Sequence, residues 1–296
     1  MAVIGALTGQ RTSTGLKEPD KALKDANALL ILHRSAVLAV GDDGKIKLDD
    51  EWARSWACTT RLGQGAPDEP QARTPDVLLA RVTARRRAAL RALAATGQVS
   101  VMTVVATPVG AVVTGTGAGG IRNVGIELHG TYGWPVLPGT TLKGVARSFA
   151  RDEEETPEDT TAAVFGAPPA EDEPAHAGEV TFLDTLPGPG GVTVAEHVLT
   201  PHTRGYRLDV GDSDEEDDGA GPRPPAEYIN PVPIPFVVLT DGVFHIHLVG
   251  PQPEVGKAAE LLAAALDDIG LGAKTTSGYG YFKTEIVHGI AGDSSP

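Results

Sequence analysis

Gln98-Val-Ser-Val-Met-Thr-Val-Val-Ala106 alternates in part and is rich in β-branched residues, which reads as a strand. It marks a change of texture along the chain. Upstream, residues 21–40 (KALKDANALLILHRSAVLAV) carry an apolar stripe at helical spacing. Residues 76–96 (DVLLARVTARRRAALRALAAT) form the strongest helical pattern, with Asp76 placed as an N-cap and Gly97 just past the end. Downstream, the strand leads past Pro108 and Val112 into the glycine loop Gly115-Thr-Gly-Ala-Gly-Gly120. Gly125-Ile-Glu-Leu-His129 follows, then the turn Gly133-Trp-Pro135, then a helix over Leu142–Arg151 capped by Thr140 or Thr141.

Beyond that helix, Gly178–Asp184 (GEVTFLD) reads as a strand, and Pro233–Thr240 and Val243–Val249 flank Asp241-Gly242, a strong hairpin signal. Pro253–Ile269 is an amphipathic helix ended by Gly270, and Tyr279–Val287 returns as a strand. The order strand, helix, strand, hairpin, helix, strand predicts an α+β, ferredoxin-like domain with loop insertions. Its helices lie on one face, and the other face of the sheet or its loops are left open. The expected division is a largely helical N-terminal segment over 1–97, the ferredoxin-like domain over 98–288 and a flexible tail over 289–296.

The net charge of −14 argues against a polyanionic partner until the acids are located. Runs 152–159 (DEEETPED), 171–173 (EDE) and 212–218 (DSDEEDD) hold fifteen of the 39 acids and no lysine or arginine. The other 24 acids face 25 basic residues, so the body of the chain is near neutral. Like charges flanked by Pro, Gly and Ala repel one another, so 152–175 and 210–226 are expected to be mobile acidic insertions. No apolar run approaches the roughly 20 residues needed to span a bilayer, which argues against a membrane role. The start, Met1-Ala-Val-Ile-Gly-Ala-Leu, lacks a basic leader, so the expected location is cytoplasmic. A single cysteine, Cys58, excludes an internal disulfide and a multi-thiolate zinc site.

The glycine motifs need context. Gly115–Gly120 fits G-x-G-x-x-G, yet extended sequence follows it and no acid lies about 20 positions on, which argues against a dinucleotide site. Gly270-Leu-Gly-Ala-Lys-Thr-Thr-Ser-Gly-Tyr-Gly280 shares only Lys274-Thr275 with a nucleotide-hydrolysing phosphate loop, and it follows a helix instead of opening one. It reads equally as a structural turn or as a polyanion cradle. In the cradle, backbone N–H groups would form an anion nest beside Lys274, Thr275, Thr276 and Ser277. His245 and His247 lie two apart on a strand and read as part of a half-polar sheet face. His129, and His202 in Leu199-Thr-Pro-His-Thr-Arg204, could stack on a base or contact a phosphate. Asp184 alone is a weak metal ligand. The arginine face of 76–96 is either solvated or a phosphate- or partner-binding surface. No catalytic nucleophile, metal site or cofactor is expected.

Taken together, the motifs resemble a known family. Leu137-Pro-Gly-Thr-Thr-Leu-Lys-Gly-Val-Ala-Arg147, preceded by the glycine loop and Tyr132-Gly-Trp-Pro135, resembles the "IPGSSLKGALR" block of the repeat-associated mysterious protein (RAMP) superfamily of CRISPR effectors. Gly270–Phe282 resembles its C-terminal glycine-rich signature. Between them come Phe165-Gly166, Gly178–Asp184, Thr200-Pro-His202, Tyr228–Phe236 (YINPVPIPF) and the Asp241-Gly242 segment. Their order is similar to that of one branch, the sixth-subunit family of type III-B (Cmr) RNA-targeting complexes. The likeness covers residues 98–286. It departs in Thr140-Thr141 for the serines, in the acidic insertions and in the long N-terminal segment.

The resemblance implies a non-catalytic subunit of an antiviral effector that holds guide RNA near its 3′ end. Its partners would be that guide, the target RNA duplexed with it and neighbouring Cmr subunits. Lys143 and Arg147, four apart on one surface-exposed helix face just beyond Gly139, would take RNA phosphates, as would Gly272, Lys274, Thr275 and Ser277. His129, His202 and Arg204 complete the expected RNA-binding set. With aromatic residues at 5% of the chain, base stacking is expected to be sparse and backbone holding to dominate. The alternative is a RAMP endoribonuclease acting through His129, His202 or Asp184.

Overall fold

The computed structural model describes residues 2–4, 27–34, 36–40, 46–48, 50–59, 75–117, 126–152, 156–169, 174–200 and 233–291. In the N-terminal part, strands β1 (Ala2–Ile4), β2 (Ala36–Val40) and β3 (Ile46–Leu48) form an antiparallel sheet in the order β1-β2-β3. The helix expected over 21–40 is therefore corrected: a short helical stretch ends in a π-turn at Leu30–Arg34, and Ala36–Val40 pairs on both sides as a strand. A continuous apolar run fits either period, and here strand partners decide it. Helices α1 (Asp50–Thr59) and α2 (Pro75–Ala94) follow. Helix α2 lies close to its expected span, but it starts at Pro75, so Asp76 stands inside the first turn and is not the N-cap; Gly97 follows the end at φ +73°.

The β-rich part is built on β4 (Ser100–Pro108). Helix α3 (Gly139–Asp152) and helix α4 (Glu158–Phe165) come next, then the short strands β5 (Gly166–Ala167), β6 (His176–Ala177) and β7 (Thr181–Phe182). The long strands β8 (Pro187–Leu199) and β9 (Ile234–Gly250) precede helix α5 (Glu254–Asp268) and strand β10 (Phe282–His288). The main sheet is antiparallel with order β10-β4-β9-β7, and β8 pairs along β9. Helix and antiparallel sheet are mixed as the α+β expectation requires.

Alternation sorts the sheet into two faces. Met102, Val104 and Ala106 of β4 share one face with Phe244, Ile246 and Leu248 of β9. They form a core with Leu142 and Ala146 of α3 and with Leu262 and Leu266 of α5. Each large aliphatic group fully buried there contributes about 1.5–3 kcal/mol. Trp52 and Trp56 of α1 join the same core as Val192 and Val194 of β8, and Arg54 Nε meets Glu196 Oε2 at 2.6 Å.

Three expectations are corrected. The opposite sheet face is not open: α2 packs over it, with Leu90 against Val101 and Val249. Arg87 Nη2 lies 3.2 Å from His245 Nδ1 on that face. The acidic stretch 152–175 contains α4, whose Val164 and Phe165 are buried. Glu158 and Asp159 fall in the first turn of α4, where the helix dipole favours negative charge. Asp241-Gly242 is no hairpin turn, because β9 runs through it. The antiparallel pair is β8 with β9, whose connection, including 210–226, lies outside the described residues.

Candidate nucleic-acid interface

The start of α3 is fixed by its neighbours. Thr141 and Leu142 donate their N–H groups to the Pro138 carbonyl, each at 3.0 Å. The Gly139 N–H donates to Asp184 Oδ1 at 2.7 Å. The expected threonine cap is thus replaced by a carboxylate from beyond β7, which satisfies an N-terminal donor and sits well in the helix dipole. Gly139 is buried, and a Cβ there would run into the Phe182 carbonyl oxygen.

Two further glycine segments meet this helix end. Gly115 takes φ +68°, and a Cβ there would press on the Ile126–Glu127 backbone. Thr114 Oγ1 accepts the Glu127 N–H at 3.0 Å. In the C-terminal loop, Ala273 N–H donates to Val113 O and Gly280 N–H to Ala111 O, both at 2.8 Å, while Leu271 N–H reaches Gly280 O at 2.8 Å. Gly272, at φ +97°, abuts the Val113 carbonyl oxygen. A pocket forms where the three segments converge, lined by Thr114, Gly115, Thr116, Gly117, Glu127, Pro138, Thr141, Gly272 and Ala273.

The C-terminal loop presents side chains, and part of its backbone is committed to the fold. Its amides at Leu271, Ala273, Ser277, Gly278, Tyr279 and Gly280 are spent on backbone carbonyls. Thr275–Ser277 is one 3-10 turn entered from Lys274 in the left-handed region, φ 63°. Lys274 Nζ sits 5.4 Å from the centre of the Phe236 ring. Phe236, Tyr279 and His197 meet edge to face, and His197 Nδ1 lies 3.0 Å from the Tyr279 hydroxyl. The Phe236 ring holds the ammonium beside the loop, at about 0.5–1 kcal/mol for such a contact.

Lys143 and Arg147 share a side of α3 as expected, but they do not line the pocket. Both are half-buried, against the expectation of surface exposure, and Arg147 Nε is buried with no hydrogen-bond partner among the described residues. They flank the buried stripe Leu142–Ala146–Ala150, which pulls the base of each side chain inward. His129 also stands apart from the pocket. Its Nδ1 accepts the N–H groups of Thr131 and Tyr132, at 3.2 and 3.4 Å. His202 and Arg204 lie outside the described residues.

Sequence reasoning missed a ladder of rings, His129–Tyr132–Trp134, with centroids 4.8 and 4.5 Å apart. Asn27 ties the N-terminal segment to this loop, donating from Nδ2 to Thr131 O at 3.0 Å. The aromatic and histidine spacing in residues 129–134 was the available signal.

The family model of the RAMP superfamily matches residues 106–283, more than half of the chain. The chain belongs to the RAMP superfamily. Among solved structures, this RAMP protein is similar to a chain in "Cryo-EM structure of the Type III-B Cmr-beta bound to cognate target RNA", at 19% identity and TM-score 0.49, over 70% of this chain and 66% of that one. It spans just under two thirds of that chain. It is also similar to Cmr6 from Pyrococcus furiosus, at 22% identity and TM-score 0.36, over 63% of this chain and 99% of that one. A chain of a type IV-B CRISPR complex aligns at 14% identity and TM-score 0.39, over 66% and 92%. No curated protein matches.

Proposed function

We propose that this RAMP protein is a non-catalytic, cytoplasmic RNA-binding scaffold subunit of a type III-B CRISPR effector complex in antiviral defence. It holds guide RNA near its 3′ end, contacts the target RNA duplexed with it and abuts neighbouring Cmr subunits. The observation that carries this reading is the convergence of three glycine-bearing segments on one pocket at the start of α3. The sheet order β10-β4-β9-β7, with α3 and α5 packed together, supports the ferredoxin-like form of the fold. The order of the motifs along the chain supports the branch.

Two of the three residues that a nuclease reading would use have structural work here, and the third, His202, lies outside the described residues. Asp184 holds the Gly139 N–H, and the His129 ring stacks on Tyr132 while its Nδ1 accepts two backbone N–H groups. Backbone holding predicts similar affinities for guide-length RNAs of unrelated sequence, with no cleavage. Mobility-shift titrations of the purified chain with three such RNAs check this. Tight binding of one sequence alone, or specific cleavage by the isolated chain, would overturn it.

A further inference from the structure

Residues 77–126 contain six arginines and neither an acid nor a lysine, in a chain of net charge −14. Five of the six lie on α2. That helix divides them by face. Leu79, Arg86, Arg87 and Leu90 turn toward the sheet: Leu79 and Leu90 are buried, and the two arginines are half-buried. Burial lowers the Arg86 pKa, while the nearby Asp184 carboxylate offsets part of that shift. Arg81 and Arg85 are exposed one turn apart, and among the described residues neither has an acidic partner.

Beside this face runs a groove lined by Leu78, Arg81, Val82, Arg85, Arg86, Ala89 and Tyr132. Its helical wall rises about 17 Å between Leu78 and Ala89. Leu78 is 47% exposed, a large apolar side chain left in water beside two cations. Across the groove lies Tyr132, the middle ring of the ladder, with His129 and Trp134 stacked against it.

We infer that this groove is a second RNA-binding surface, taking a single-stranded stretch with its phosphates on Arg81 and Arg85 and its bases against Leu78, Val82 and the rim of the Tyr132 ring. It rests on the RNA-holding role proposed above and extends it to the N-terminal part of the chain. The charge pattern selects a polyanion. Arginines four apart on a helix have Cβ atoms about 5–6 Å apart, so they meet consecutive charges of one strand. The apolar floor gives base faces a place out of water that a purely acidic ligand would not use.

The test is fluorescence anisotropy of labelled mixed-sequence single-stranded RNA with the full chain, across a salt series. The double variant Arg81→Ala/Arg85→Ala should lose about tenfold in affinity or more. Its slope of log K against log salt should fall by about 1.4, two single-strand contacts at roughly 0.7 each. Arg81→Lys/Arg85→Lys should keep the slope, and circular dichroism melting should be unchanged for both. Parent affinity and slope in the double alanine variant would overturn the inference, while weakening by Lys274→Ala alone in that case would leave the scaffold reading standing. Failure of the parent chain to bind RNA at any salt would sink that reading and the groove with it. Binding of polyglutamate that the double alanine variant loses while keeping RNA would assign the groove to an acidic protein and also overturn it.

Discussion

His247 shows how one buried residue sets a pH limit. It is 4% exposed, under α2, and its Nδ1 lies 3.1 Å from Thr103 Oγ1. That hydroxyl donates its own proton to Gly289 O at 2.6 Å, so the network assigns the proton of the neutral imidazole to Nδ1. Burial, with Arg86, His245 and Arg87 nearby, pushes the His247 pKa down from 6.5 to about 4. His245 shifts the same way through burial and Arg87. A depressed histidine makes the unfolded chain the better proton acceptor between those values. Stability is therefore full above pH 6.5 and falls as pH drops toward 4, by up to about 1.4 kcal/mol per unit from His247. Urea unfolding at pH 7.5, 6 and 5 should show that slope in the parent and a flatter one in His247→Gln. Equal slopes would show that folding does not depress the His247 pKa. The sequence made the shared face of His245 and His247 legible through the period of two, but the arginines above them depended on tertiary packing.

Elements were legible where period and punctuation agreed, as in α2, α5 and β4. They were misread where a local signal met a stronger partner. Asp241-Gly242 has turn chemistry: Asp241 Oδ1 accepts the Gly242 N–H at 2.7 Å, and Gly242 takes φ +124°. Yet Val237–Leu239 on one side pairs with β8, and Phe244–Leu248 on the other pairs with β4, so the strand continues through an irregularity opposite Thr193/Val194. At the candidate site the glycine segments were visible in sequence. The Asp184 cap was not, because it joins positions 45 residues apart. That cap and the close approach of β7 yield an element-scale prediction. In Gly139→Ala the added methyl meets the Phe182 carbonyl, and overpacking of this kind costs about 1–3 kcal/mol. The thermal midpoint should fall by several degrees, with weaker RNA retention as the start of α3 shifts off β7. Parent-like melting would show that the α3–β7 contact is slack. Gly144→Ala is the control, since nothing lies within 4 Å of a Cβ there.

Across the whole molecule, the charge is segregated by sequence. Fifteen acids are confined to three runs, while residues 77–126 carry only positive charge. A polyanion approaching α2 therefore meets a local field opposite in sign to the net charge, and on a long-range account the acidic runs act on it through solvent. Such action is screened over roughly 8–10 Å at physiological salt and reaches further when salt is low. Replacing 212–218 (DSDEEDD) with a neutral Gly-Ser stretch should therefore strengthen RNA binding several-fold at low salt. At about 0.5 M salt the gain should vanish, and the thermal midpoint should stay nearly constant. The salt dependence separates two roles for the run. A long-range repulsive field gives a gain that fades with added salt, visible as a steeper slope of log K against log salt. A run that docks on the arginines of α2 as an internal competitor would instead free two or more cations on removal, so RNA affinity would rise while the midpoint dropped by several degrees. Anisotropy titrations at four salt concentrations beside thermal melts decide between them, and a midpoint loss would overturn the long-range account.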